Sequence, residues 1–188
     1  MPRYRHYRNT QESGTTLFIT MTVLDFANAF RRDEAKDAMV AANARECKRA
    51  EAALYGYVVM PHHVHLLVRL PEQLNGPQFM RVFKRQSSGS VAKLLTAAEL
   101  HQFDQQRGLN GNTFWQRSFR SISITEEQMF WQKMDYIHHN PVKAAYVERP
   151  EEYRWSSAAL VMSGLLSEES GLPYEAVIES LGARPSGS

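Results

Sequence analysis

Residues 54–71 read LYGYVVMPHHVHLLVRLP, and this stretch narrows the possible folds more than any other part of the chain. Two runs rich in β-branched, aromatic and aliphatic residues, 54–61 and 63–71, are predicted strands. Only a Met-Pro-His connection separates them, so they are expected to pair as an antiparallel hairpin. Around this hairpin, TTLFITMTVL (15–24) reads as a strand with Leu17, Ile19, Met21 and Val23 on one side. The Ala-, Lys-, Arg- and Glu-rich segment 31–50 reads as a helix, as does 76–95, where Phe79, Val82 and Phe83 recur at helical spacing. TFWQRSFRSISI (113–124) alternates like a strand. Thr125 with Gln128 three residues on resembles a capping box that opens a further helix.

The resulting order is strand, helix, strand, strand, helix, strand, helix. It suits an α+β fold with helices on one face of an antiparallel sheet, and the split βαβ, ferredoxin-like arrangement is the simplest such topology. Segment 97–113 loses periodicity and is expected to be a loop. Residues 161–188 are expected to form a helical extension, with a short helix near 173–181 and a loose tail, on a main domain covering 1–160.

Composition sets the class. With 188 residues, 43% hydrophobic and 22% charged, the chain is long enough to bury roughly 70% of its unfolded surface without covalent staples. No apolar run reaches the roughly 18 residues that a membrane span needs. The N-terminus, MPRYRHYRNTQESG, lacks the apolar centre of a signal peptide, so a cytoplasmic location is expected. Cys47 has no partner for a disulfide or a zinc cage and is read as structural. The net charge of +2 is unremarkable, but Arg3, Arg5 and Arg8 interleave with Tyr4, His6 and Tyr7, a pattern suited to neutralising phosphates and stacking on bases.

The histidines need a separate account. Strand alternation sends His63, His65, Leu67 and Arg69 one way and Val64, Leu66, Val68 and Leu70 toward the core. Two imidazoles two residues apart lie about 6–7 Å from each other along a strand and can lean toward one cation, though the same pair is equally at home facing solvent. His62 belongs to the turn and faces elsewhere. A third group must come from another element, and DYIHHNPVKAAYV (135–147) is the best source. On a helix Tyr136, His139, Asn140 and Lys143 share one face, bringing together a phenol, an amide oxygen and an ammonium. Pro141 offers a competing role, because it disfavours helical geometry at Asn140 and would make that residue the N-cap of a new turn.

MPHHVHLLV, DYIHHNPVKA and YRWSSA, in this order and setting, resemble the HUH single-tyrosine transposases, most closely those associated with repetitive extragenic palindromes (REP). The resemblance extends from the first strand to about residue 160. It implies that His63 and His65, completed by Asn140, bind a divalent ion, expected to be Mg2+ with Mn2+ as a substitute. It also implies that Tyr136 attacks DNA, aided by Lys143. His62 departs from the small polar residue usual there, which leaves an alternative ligand register open. Single-stranded or hairpin DNA is the implied partner of a monomer or homodimer. Arg3, Arg5, Arg8, Lys84, Arg85, Arg117 and Arg120 are candidates for backbone contacts, and Tyr4, Tyr7 or Trp115 for stacking. Two other readings remain at this point: a hairpin-binding regulator with an inactive site, and a metal-dependent nuclease.

Overall fold

The computed structural model describes residues 12–97, 99 and 114–162. Its elements follow the expected order: β1 (Thr16–Thr22), α1 (Asp33–Arg49), β2 (Ala53–Val59), β3 (His63–Arg69), α2 (Gly76–Ala92), β4 (Arg120–Ile124) and α3 (Glu127–Lys143), with a short α4 (Ala158–Met162). The four strands form one sheet in the order β2-β3-β1-β4, every neighbouring pair antiparallel. β1 and β2 flank β3, and β3 and β4 flank β1, which is the split βαβ arrangement. The expected helix at 173–181 and nearly all of the expected loop at 97–113 lie outside the described residues.

The helices do not all lie on one face. Leu17, Ile19, Met21, Leu66 and Val68 pack with Met39 of α1 and with Phe79, Met80 and Phe83 of α2. Phe18, Val58, Leu67 and Ile124 point the other way and pack with Phe130, Met134 and Ile137 of α3. All seven residues of β2 are buried, as required of a strand covered on both sides. Gly56 lets α3 come close, since a Cβ there would stand 2.7 Å from Met134 Sδ. The histidine face of β3 is therefore the face that α3 covers.

Two boundaries differ from the sequence reading. β4 is shorter than 113–124, because Lys84 Nζ donates to the carbonyls of Gln116 (2.8 Å), Arg117 (3.4 Å) and Ser118 (3.1 Å), a task incompatible with a regular strand there. Helix α3 begins at Glu127 after Glu126, without a side-chain cap, instead of at Thr125. No helix among the described residues is long and apolar enough to cross a membrane.

The segment after α3 closes the outer edge of β2. Val59 N–H donates to Trp155 C=O (2.9 Å), Ser157 N–H to Tyr57 C=O (3.0 Å), and Tyr153 Oη–H to Val59 C=O (2.9 Å). Ser157 Oγ also accepts the Tyr57 N–H (2.9 Å) and lies 3.0 Å from His138 Nε2. An uncovered edge would present unpaired backbone groups. Ser157→Ala removes the hydroxyl that meets both Tyr57 N–H and His138 Nε2, and is expected to lower stability by about 2–4 kcal/mol. Urea unfolding checks this, and an unchanged midpoint would contradict it.

Candidate active site

β3 and β1 build the floor of the site. In their register Thr20 faces His65 and Thr22 faces His63, and residues directly opposite in an antiparallel pair share a face. His65 is 3% exposed. Its Nδ1 lies 3.0 Å from Thr20 Oγ1, and Phe18 stacks against its ring at 5.3 Å. Its Nε2 is buried without a hydrogen-bond partner. The His63 ring stands 4.8 Å from that of His65, with the Asn140 side chain close enough to act on it. Burial, and then the neighbouring imidazole, push His63 down to about 4 and His65 to about 3, while Asn140 pulls His63 slightly back. At neutral pH both rings are uncharged.

Helix α3 supplies the roof. The Tyr136 ring meets His65 edge-on at 5.2 Å and Phe18 at 5.8 Å, yet the residue remains 40% exposed. Lys143 Nζ stands 5.4 Å from the centre of the Tyr136 ring. The helix runs unbroken through Pro141, with Asn140 C=O accepting Ala144 N–H (3.1 Å) and Pro141 C=O accepting Tyr146 N–H (3.0 Å). Asn140 is thus an ordinary helical residue rather than an N-cap. Pro141 sits in the last turn, where its missing N–H removes a single intrahelical bond, and the Asn140 amide is left to reach His63.

Tyr136, Asn140 and Lys143 come together as their spacing implies. His139 turns back, its Nδ1 lying 3.0 Å from Asp135 C=O. Among the proposed DNA contacts, Arg85, Arg117 and Arg120 are exposed. Arg120 pairs with Thr20 across β1, which puts it on the face of His65. The Lys84 ammonium is occupied by its three carbonyls, and burial lowers it to about 8. Trp115 is buried, with its indole N–H on Ser87 Oγ (3.2 Å), and offers no face to a base. Arg3, Tyr4, Arg5, Tyr7 and Arg8 lie outside the described residues.

Sequence reasoning missed three residues that shape this site. Thr20 and Phe18 hold His65, and their signal is the half-polar set Thr16, Phe18, Thr20 and Thr22 alternating with the apolar core of β1. His138, directed inward onto Ser157, anchors α3 from below.

The depressed histidines carry a pH signature. The folded state resists protonation at His63, His65 and His138, whose pKa values lie below 6.5 mainly through burial. The unfolded chain therefore binds more protons, and stability is expected to fall as pH drops from about 6.5 toward 4 and to be level above that. Urea midpoints between pH 7.5 and 5 test this before most carboxylates titrate. A flat profile would contradict the burial of these rings.

Comparison with known proteins agrees with the geometry. A family profile described as "Transposase IS200 like" matches residues 21–140. A Haemophilus influenzae protein described as a candidate REP-associated tyrosine transposase is 27% identical over 154 residues, covering 81% of this chain and 84% of the relative. A solved REP-associated tyrosine transposase bound to a REP hairpin shares the fold, with a TM-score of 0.60 at 22% identity over 86% of this chain and 87% of that one. The profile covers more than half of the chain, including both histidines, Tyr136 and Asn140, and the chain belongs to the IS200-like transposase family.

Proposed function

We propose that this transposase cuts and rejoins single-stranded DNA beside palindromic hairpins, with Tyr136 as nucleophile and with His63, His65 and Asn140 holding a divalent ion. The observation that carries the reading is the half-exposed Tyr136 phenol set against His65, whose buried Nε2 has no partner. The names of the relatives supply the substrate class, since one structural neighbour is bound to a REP hairpin.

The donor set fits a metal. Among the described residues no three His, Cys, Asp or Glu side chains gather into a site, so the candidate ligands are two neutral imidazoles and an amide oxygen. In the tautomer with His65 Nδ1–H donating to Thr20, the Nε2 lone pair is free for a cation. Uncharged ligands leave the full charge of the ion undiluted. A bound Mg2+ or Mn2+ would polarise a non-bridging oxygen of the scissile phosphate and offset the charge that develops during in-line attack.

The chain's own residues do the rest. Tyr136 Oη attacks phosphorus, the P–O3′ bond breaks, and the products are a 5′-phosphotyrosine and a free 3′-hydroxyl. An incoming 3′-hydroxyl reverses the step and releases the tyrosine, so strand joining needs no external energy source. The Lys143 ammonium, 5.4 Å from the centre of the Tyr136 ring, is the cation placed to offset the negative charge that develops as the phenol attacks. The two-helix-turn stretch from Tyr136 to Lys143 fixes nucleophile, ligand and cation on one rigid element.

Wild-type protein mixed with an end-labelled hairpin oligonucleotide and Mn2+ is expected to give a covalent protein–DNA band on a denaturing gel. Tyr136→Phe abolishes it, EDTA abolishes it reversibly, and Lys143→Ala slows its formation on the order of 100-fold. Cleavage without an adduct, surviving Tyr136→Phe, would instead indicate a hydrolase. Thr20→Val is expected to raise the Mn2+ concentration for half-maximal cleavage by roughly 10- to 100-fold, through loss of the group that orients His65. An unchanged requirement would remove Thr20 from the account.

A further inference from the structure

Phe26 is the most exposed large aromatic among the described residues, at 63%. Its backbone has φ of 56°, and Asp25 before it has φ of 50°. Side chains with a Cβ rarely adopt this left-handed region, which favours Gly and Asn and is most costly for bulky residues. The exposed ring adds nothing to the core, so folding alone accounts neither for its presence nor for its conformation. Strain of this kind persists where surrounding structure enforces it, and it concentrates at functional sites.

The enforcement is visible. Phe26 N–H donates to Val23 C=O (3.1 Å) and Ala27 N–H to Leu24 C=O (3.1 Å), closing two overlapping turns. Val23 N–H donates to His62 C=O (2.8 Å), and Phe30 N–H to Pro61 C=O (2.9 Å), tying this loop to the turn that carries His62. The Phe26 ring consequently lies 5.9 Å from that of His62, which lies 4.6 Å from that of His63. His63 and His65 are 4.8 Å apart, and His65 and Tyr136 are 5.2 Å apart. Five rings form an unbroken series from the nucleophile to solvent.

We propose that Phe26 forms a stacking shelf for one nucleobase of the strand whose phosphate meets Tyr136, with the His62 ring, tilted 59° to it, bounding one edge of the shelf. The shelf rests on the DNA-cleaving role proposed above and adds to it a base subsite that fixes the strand relative to the nucleophile. A flat apolar ring held in the open beside a phosphate-handling centre suits a base, which presents a π-face of any sequence. The backbone strain has a use on this reading, since the strained turn holds the Phe26 ring in the open beside His62.

The test is equilibrium binding of wild type, Phe26→Asn and Phe26→Tyr to a fluorescein-labelled single-stranded oligonucleotide containing a palindrome from the DNA flanking the protein's gene. The same oligonucleotide is also made abasic at one position at a time. Phe26→Asn accepts the left-handed backbone and is expected to melt no lower than wild type, yet to bind roughly 5- to 100-fold more weakly, while Phe26→Tyr restores affinity. One abasic position is expected to cost wild type a similar factor and Phe26→Asn nothing further. Unchanged binding by Phe26→Asn, or abasic losses that add to its own at every position, would overturn the shelf. Adduct formation by wild type, measured alongside, separates the two readings. An adduct with unaffected Phe26→Asn overturns the shelf alone, whereas the expected coupling without an adduct retains the shelf and overturns the reaction.

Discussion

Everything in the site depends on one buried imidazole. His65 sits in an interior strand, paired on one side with β1 and on the other with β2, so its backbone has no freedom to retreat. Thr20 fixes one ring nitrogen, and Phe18 and Tyr136 wall the ring. Such burial makes the charged ring expensive, which keeps it neutral and preserves a lone pair where a protonated histidine would have none. The second nitrogen has no partner, a costly condition in a protein interior unless a ligand meets it.

The same constraint explains why α3 lies where it does. His65 is enclosed only if a helix covers that face of the sheet, and the helix that covers it carries Tyr136, Asn140 and Lys143. Gly56 permits the approach by leaving room for Met134, and the edge segment ending in Ser157 holds His138 from the opposite side. Pro141 lies late enough in the helix to cost little. The packing that stabilises this face and the alignment of Tyr136 with the histidines are thus one arrangement. The shelf proposed at Phe26, beside His62, would extend it outward, from Tyr136 to a base of the bound strand.

Much of this was legible in the residues. The hairpin at 54–71 and the order of elements give the split βαβ sheet, and period-two alternation pairs His63 with His65. Helical spacing joins Tyr136 to Asn140 and Lys143. Other features needed three dimensions. The uninterrupted run LYGYVV implies a strand buried on both faces, but a helix-on-one-face reading hid that implication, and the covering of the histidine face was lost with it. Lys84 and Trp115 read as DNA-binding types because residue type does not reveal burial, and the structure commits them to carbonyls and to Ser87. The ambiguity at Asn140 was real, since a residue before proline is disfavoured from the helix, and only the packing of α3 decides it. Phe26 had no signal at all, because an exposed ring in a strained loop follows no periodicity.

The central claim is that His63, His65 and Asn140 together hold the ion beside Tyr136. The most direct measurement is anomalous diffraction from crystals of the full chain grown with Mn2+. The account predicts one strong anomalous peak bonded to His65 Nε2, to a His63 ring nitrogen and to the Asn140 amide oxygen, facing the Tyr136 phenol. A peak on His62 without His65, or none at this site in crystals of protein that cleaves DNA, would contradict it.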